Sequence, residues 1–381
     1  MHHLSRYSRL FLVLGTVTFF LFGCDKKKQL QVPVAVSSIK YATGFHISRV
    51  GNSQLVEVTM PYAGARKGYR YLLVPAGEEV PVGVEDAVVI YTPLKSIVCT
   101  STTHIPLLDY LGMTDRLTGF PTTDYISSAK MRSRIDSGHV VDLGNGQQLN
   151  VERLVTLHPD VVMGYQLGGE AGPLKKLQGT GIPLVINAEY LERHPLGRAE
   201  WIKFMGALFH RERAADSVFR IIEKEYLSAV ALAFTITDKP KVLSGIVYGD
   251  AWFLPGGSSY SARLLEDAGY DYPWKGDSTQ GNISMTFESV YVKAKDADFW
   301  VGAGSMRTLK ELQEADLRYA LFQSFKAHRV YTYTAKLGEK GGNEYLELGY
   351  LRPDLILKDL IKISHSELMP QYELYFYEQL R

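Results

Sequence analysis

The sequence predicts an α/β protein with two lobes of mainly parallel sheet, one long helix that joins them, and a β-hairpin extension in front of the first lobe. Three observations lead to this fold class. Short apolar segments alternate with helical stretches, as in sheets whose faces are covered by helices. A pair of local motifs occurs twice in the same order, and a long segment without Gly or Pro lies between the two halves. A chain of 381 residues is long enough for two compact units.

The first 24 residues have the pattern of a secretion signal. Residues 10–22 form an apolar run of 13 residues that ends at Gly23-Cys24. A helix of that length rises only about 20 Å, which is too short to cross a hydrocarbon core of roughly 30 Å. The stretch 21–24 resembles a bacterial lipobox, whose cysteine is acylated, so we expect Cys24 to carry a lipid. A plain secretory signal with a chance cysteine is the alternative.

Residues 25–84 are predicted to form a tether and a β-rich extension. The polar residues 25–28 follow Cys24 directly. Alternating segments at 41–50 and 54–60 are joined across Gly51-Asn52, a tight-turn signal, and a third strand is predicted at 69–74.

Two α/β lobes are predicted at 85–196 and 240–381. Their strands are expected at 87–91, 161–163, 184–186, 242–247, 299–301 and 330–333. In each half a strand (88–91 or 242–247) leads to a Leu-Leu motif (107–112 or 264–269). Further on, an acidic helix start (151–154 or 287–290) leads to a second strand. Two ordered pairs of this kind indicate two related lobes.

A helical linker is predicted at 197–239. Residues 211–234 contain no Gly or Pro and place apolar side chains at four-residue spacing, which predicts one amphipathic helix about 36 Å long. A separate helix at 198–209 precedes it. Such a strut between two lobes makes the cleft between them the default ligand site.

Loops that follow the predicted strands should face this cleft and supply the ligand-binding side chains. Tyrosine, of which the chain has 24, combines a flat ring with a hydroxyl and suits a bulky amphipathic ligand. His104, Arg132, Arg134 and Arg329 are candidates to neutralise an anionic one. The candidate ligand-binding residues are Thr102, His104, Tyr125, Tyr165, Gln166, Trp252, Tyr260 and Tyr333.

Four segments resemble the substrate-binding lipoproteins of ABC importers for metal chelates, the family of ferric-siderophore and vitamin B12 binders. They are residues 149–162, 181–185, 252–260 and 352–357, and the resemblance covers about residues 85–381. It implies that Glu152 and Glu288, one on each lobe, dock onto arginines of the permease. Solvated acids that favour the start of a helix are the alternative for both.

The resemblance further implies a monomer without a cofactor, anchored in the bacterial cell envelope and facing the periplasm. Its partners would be an ABC permease with its ATPase, the membrane through the lipid, and an iron-siderophore-type chelate; cobalamin and haem are the alternatives.

Other classes of protein fit the sequence less well. The net charge of +1, from 42 Lys+Arg and 41 Asp+Glu, leaves no basic surface for nucleic acid. Two cysteines, Cys24 and Cys99, exclude a disulfide framework and a Cys-rich zinc site. A lipid-anchored extracytoplasmic hydrolase is the competing class, but the Gly-x-Ser-x-Gly and His-Glu-x-x-His motifs are absent, so we expect no catalytic residues. Ten scattered histidines do not indicate a bare metal ion site.

Overall fold

The computed structural model describes residues 34–35, 39–144, 149–168, 172–177 and 179–381. The predicted signal peptide and Cys24 lie outside these residues. Within the described ranges, no helix is both long and apolar enough to cross a membrane.

Three groups of strands follow one another along the chain. The strands are β1 Val34–Ala35, β2 Phe45–Val50, β3 Ser53–Val58, β4 Tyr69–Pro75, β5 Val88–Thr92, β6 Ile97–Cys99, β7 Leu117–Phe120, β8 Val141–Asp142, β9 Val161–Gly164, β10 Leu184–Ile186, β11 Val242–Ser244, β12 Ile246–Tyr248, β13 Ala251–Pro255, β14 Asn282–Met285, β15 Phe299–Val301, β16 Val330–Thr332 and β17 Glu378–Gln379. The α-helices are α1 Ile105–Tyr110, α2 Ala129–Asp136, α3 Val151–Thr156, α4 Pro195–Glu200, α5 Ile202–Leu208, α6 Glu212–Ala233, α7 Tyr260–Asp267, α8 Phe287–Ala294, α9 Leu309–Ala315, α10 Gln323–Lys326, α11 Glu344–Leu348 and α12 Pro353–Ser364.

The N-terminal sheet has the strand order β1-β2-β3-β4-β5. Strands β1 to β4 are antiparallel neighbours, and Gly51 makes the tight β2–β3 turn with a positive φ of 61°. The predicted hairpin and third strand are therefore confirmed. The prediction that residues 87–91 form the first strand of the first lobe is wrong, because β5 pairs with β4 of this sheet. A short apolar run indicates a buried strand but not which strand it will pair with.

The first lobe is built on a sheet with the order β10-β9-β6-β7-β8, in which all neighbouring strands are parallel. Strand β6, and not β5, leads into the Leu-Leu motif of α1. It pairs with β9, the strand that follows the acidic helix α3. The second lobe repeats this arrangement, since β11 pairs in parallel with β15, the strand that follows α8.

The second lobe carries the sheet β11-β15-β16-β17 and a separate antiparallel sheet β12-β13-β14. The sequence predicted one strand over 242–247, but the chain divides it at Gly245. This residue has a φ of 81°, and a Cβ there would lie 1.9 Å from the Phe253 carbonyl oxygen. Only glycine fits such a close approach, so the chain can leave one sheet and enter the other.

Helices α4, α5 and α6 join the lobes. The predicted helix over 198–209 is divided at Trp201, which is buried, and the predicted long helix is confirmed as α6. The buried side chains of α6 follow one another at spacings of three and four residues. A strict four-residue spacing predicts that Phe234 is buried too, but Phe234 is 90% exposed. Helix α6 packs against α5 of the linker and against α12 of the second lobe.

Two buried carboxylates, one at the end of the first lobe and one in the linker, hold the segment that leads into β2. Glu200 accepts hydrogen bonds from the backbone N–H groups of residues 40–42 at 2.7 to 3.0 Å. Glu192 accepts from the N–H groups of Thr43 and Gly44 and from the Trp201 indole. Charge-assisted bonds of this kind are stronger than neutral ones, so the segment 40–44 is held firmly.

The N-terminal sheet also contacts the edge strand of the first lobe. The Tyr71 hydroxyl accepts a hydrogen bond of 2.9 Å from the backbone N–H of Ile186, the last residue of β10. Both residues are buried, so this bond satisfies a donor that water cannot reach.

Replacing Tyr71 with phenylalanine is expected to lower the free energy of unfolding by about 1–3 kcal/mol, because the Ile186 N–H loses its partner inside the protein. Urea denaturation measures this loss. Tyr91→Phe is the matched control, since Tyr91 lies in the same sheet but is 58% exposed, and its effect should stay within about 0.5 kcal/mol. Equal stability of the two variants would contradict the role of this bond.

Candidate functional site

The strand order of the first lobe defines a crevice at the carboxyl ends of β6 and β9. The chain leaves β6 towards β7 on one side and leaves β9 towards β10 on the other. Open parallel sheets bind ligands where neighbouring connections diverge in this way. Residues 100–104 and 165–166 follow these two strands, so the predicted Thr102 and Tyr165 lie at the crevice.

The loops of the first lobe present two exposed tyrosines. Tyr165 is 41% exposed and Tyr125, after β7, is 62% exposed, while Thr102 is half-buried. Gln166 is instead buried: its side-chain oxygen accepts a hydrogen bond of 3.2 Å from the Tyr69 hydroxyl, and its carbonyl accepts one from Tyr190. Gln166 therefore positions the loop, and Tyr165 beside it is open to a ligand.

His104 is fully buried and does not face the crevice, contrary to the prediction. Burial lowers the pKa of its imidazole to about 3, because the charged form cannot be solvated there. The ring is neutral at physiological pH and cannot balance the charge of an anionic ligand.

Trp252 is also fully buried, so the structure does not bring it to the cleft. Its ring lies within 5.5 Å of the rings of Trp300, Tyr319 and Phe322, and its indole N–H donates to the Ser244 carbonyl. Side chains alternate between the two faces of a strand, so the next residue of β13, Phe253, points outward.

Phe253 and Tyr248 form an exposed aromatic pair that the sequence analysis missed. Phe253 is 40% exposed, Tyr248 is 81% exposed, and their ring centroids are 6.4 Å apart. Every residue of β13 is apolar, so no alternation in its sequence marked this pair, and only the pleat of the folded strand turns Phe253 outward.

Tyr260 is buried at the junction of the linker and the second lobe. The Arg198 guanidinium of α4 lies 3.8 Å from its ring centroid and 4.6 Å from that of Tyr350. Arg198 also donates to the carbonyls of Tyr190 and Glu192 in the first lobe. This arginine therefore ties the two lobes together, and Tyr260 belongs to that contact.

Tyr333 lies at the carboxyl end of β16 and is half-buried. Its ring stacks on that of Tyr345 with centroids 4.6 Å apart. Both rings, with Tyr377, line a cavity of about 220 Å³ at the carboxyl ends of β11, β15 and β16. Pockets for drug-sized ligands measure roughly 300–1,000 Å³, so this cavity alone does not hold a large chelate.

A buried glutamate of the second lobe closes onto the first. Glu347, on α11, accepts hydrogen bonds from the Ser127 backbone N–H at 2.6 Å, the Ser127 hydroxyl at 2.9 Å and the Ser128 N–H at 2.9 Å. We call these three residues the interlobe clasp. Burial, and to a smaller extent the neighbouring Asp109 carboxylate, raises the pKa of Glu347 to about 7. No sequence motif marked this contact.

Glu152 and Glu288 occupy matching positions on the two lobes. Each is the second residue of its helix, after the capping residues Asn150 and Thr286, and each is exposed. They differ in one respect, because Arg318 lies 3.4 Å from the Glu288 carboxylate.

The three arginines that were candidates to neutralise an anionic ligand contact other groups of the protein. Arg132 is buried and donates to the Thr123 carbonyl, Arg134 donates to the Asp115 carbonyl, and Arg329 lies over the Phe299 ring. Among the described residues, no three His, Cys, Asp or Glu side chains gather closely enough to hold a metal ion.

Comparison with known proteins identifies the class to which this fold and crevice belong. The family model for periplasmic binding proteins matches residues 97–337, which is more than half of the chain. The chain therefore belongs to the periplasmic binding protein family.

One relative spans nearly the whole chain, and solved structures with the same fold cover about three quarters of it or more. An uncharacterized lipoprotein of Methanocaldococcus jannaschii, MJ0878, is 25% identical over 95% of this chain and 93% of its own length. A periplasmic binding protein from Veillonella parvula superposes with a TM-score of 0.60 at 16% identity, over 83% of this chain and 99% of its own. A periplasmic heme binding protein from Pseudomonas aeruginosa superposes with a TM-score of 0.53 at 18% identity, over 76% and 98% of the two chains.

Proposed function

We propose that this protein is a lipid-anchored, periplasm-facing binding protein that captures an iron chelate and delivers it to an ABC permease and its ATPase. The observation that carries the proposal is the crevice between β6 and β9, flanked by the exposed Tyr165 and located where the two lobes meet. An iron-siderophore-type chelate is the first candidate ligand, and haem and cobalamin are the alternatives.

Aromatic side chains favour a large ligand with flat, partly apolar faces. Tyr125 and Tyr165 of the first lobe are exposed, and the pair Tyr248 and Phe253 is exposed on the second. Aromatic rings add stacking energy to the area that they bury. The ligand would lie in the seam between the lobes, since the cavity beside Tyr333 is too small for it.

The relatives support this assignment. The Pseudomonas aeruginosa protein with the same fold is described as heme-binding, and the Methanocaldococcus relative is described as a lipoprotein. Membership of a binding-protein family favours this function over the hydrolase alternative.

The visible absorption spectrum tests the proposal. The full chain, purified in detergent from its native host, is expected to carry the spectrum of an iron chelate or to acquire one on titration. The probes are haemin, a ferric tris-catecholate, a ferric trihydroxamate and cyanocobalamin, which absorb differently. Saturable binding of one iron probe supports the proposal, preference for cyanocobalamin favours that alternative, and failure to bind any of the four would overturn it.

A further inference from the structure

We infer that the N-terminal sheet forms one wall of the ligand cleft and selects an anionic chelate with aromatic faces. The wall consists of Tyr69 and of Arg66 and Lys67, which precede it in the loop between β3 and β4. This inference rests on the proposed function and gives the extension a role in it.

The position of Tyr69 follows from two hydrogen bonds of β4. Tyr71 contacts the N–H of Ile186 at the carboxyl end of β10. Tyr69 lies two residues earlier on the same face of the strand, roughly 7 Å further along, and so reaches beyond the end of β10. Its hydroxyl meets the side chain of Gln166, next to Tyr165 in the crevice.

The ring of Tyr69 is available to a ligand. The side chain remains 37% exposed although its hydroxyl is bonded, and the neighbouring Tyr165 is 41% exposed. The ring of Tyr71 supports it, with centroids 6.3 Å apart and an angle of 27° between the planes. A ring held in place on one side and open on the other is suited to stacking.

The loop that leads into Tyr69 carries two positive charges. Arg66 and Lys67 are exposed, and neither forms an ion pair with any residue in the described ranges. The adjacent Arg70 points to the opposite face of the strand and pairs with Glu57 and Asp86. Cations without a partner at the rim of a cleft attract anionic ligands and raise their rate of association.

This combination of groups distinguishes the candidate ligands. Haem and a ferric tris-catecholate both combine aromatic faces with negative charge. A ferric trihydroxamate is neutral around the iron and has no aromatic donor groups. We therefore expect haemin or the tris-catecholate to bind more tightly than the trihydroxamate.

The test compares the full chain with three test variants and two control variants, using the four absorption probes named above. Tyr69→Ala removes the ring, and Tyr69→Phe removes only the contact with Gln166. The double variant Arg66→Glu/Lys67→Glu reverses the charge at exposed positions where no packing is lost. Tyr91→Ala is the control for the ring, because Tyr91 pairs with Val74 at the far end of β4. Lys239→Glu/Lys326→Glu controls for net charge at exposed sites elsewhere.

We expect Tyr69→Ala to raise the dissociation constant of the preferred anionic probe about tenfold. The charge reversal should raise it about tenfold at low salt and less at high salt, whereas Tyr69→Phe and both controls should stay within about twofold. Thermal melts identify any variant that fails to fold. If Tyr69→Ala fails to fold, the dissociation constant of the charge-reversal variant decides whether the inference holds.

Two results would overturn the inference while the proposed function stands. One is wild-type affinity in both Tyr69→Ala and the charge reversal; the other is a preference of the wild type for the trihydroxamate. If the wild type binds none of the four probes, the proposed function falls and the inference falls with it.

Discussion

Reversing both Glu152 and Glu288 to arginine is expected to abolish uptake of the ligand by cells while leaving the affinity of the purified protein unchanged. The two carboxylates are exposed at matching helix starts, one on each lobe. A two-point contact between carboxylates and arginines fixes the orientation of a rigid body on its partner. Arginines at these positions would repel the arginines proposed on the permease.

Uptake of the preferred chelate in the native host, with the chromosomal gene replaced, measures this effect. Glu79→Arg/Glu266→Arg is the matched control, because both residues are exposed acids away from the two helix starts and the change in charge is the same. Normal uptake in the Glu152/Glu288 variant would contradict docking, as would a loss of ligand binding by the purified protein.

Replacing Glu347 with alanine is expected to lower the free energy of unfolding by about 3 kcal/mol and to loosen the contact between the lobes. The substitution leaves the half-buried N–H groups of Ser127 and Ser128 without their acceptor, and each lost bond to the buried carboxyl costs about 1–3 kcal/mol. Urea denaturation measures the first effect. Hydrogen exchange of the segment 125–128 measures the second, and unchanged exchange there would contradict a role for the interlobe clasp.

The interlobe clasp should also depend on pH. The pKa of Glu347 is raised to about 7 by burial, above its ordinary value of 4.5. Between these two pH values, the Glu347 carboxyl is therefore protonated when the interlobe clasp is formed and ionised when it is open. Its contribution is complete below about pH 4.5 and is lost as the pH rises through about 7.

We thus expect faster opening of segment 125–128 at pH 8 than at pH 5, after correction for intrinsic exchange. Glu347→Gln should remove most of this difference, since glutamine has the same shape and does not titrate. Glu339→Gln, an exposed acid in the preceding loop, is the control and should behave as the wild type. A pH response that persists in Glu347→Gln would assign the titration to another group.

The elements of this fold could be predicted from local periodicity, but their partners could not. The hairpin, the long helix and the parallel strands of both lobes have clear spacing signals. The sequence predicts the wrong sheet for β5, because its apolar run would fit either one. The identity of its partner depends on contacts with β4 that no local pattern contains.

The candidate ligand site could be predicted only at the level of loops. Thr102, Tyr125 and Tyr165 follow strand ends and lie in the expected region. Trp252 fits a strand end equally well, but the pleat turns its side chain into the core and turns Phe253 outward. Glu347 was missed because its partners lie 219 and 220 residues away in sequence.

The contacts of segment 40–44 determine the point at which an N-terminal lipid tether would be attached to the folded protein. Lys40 and Tyr41 also contact Glu223 in the middle of α6, at 2.5 and 2.7 Å. A lipid-anchored tether that reaches the protein through residue 39 would therefore be attached at the linker between the lobes. An anchor at this point would leave the surfaces of both lobes free, so that both could contact the permease at once.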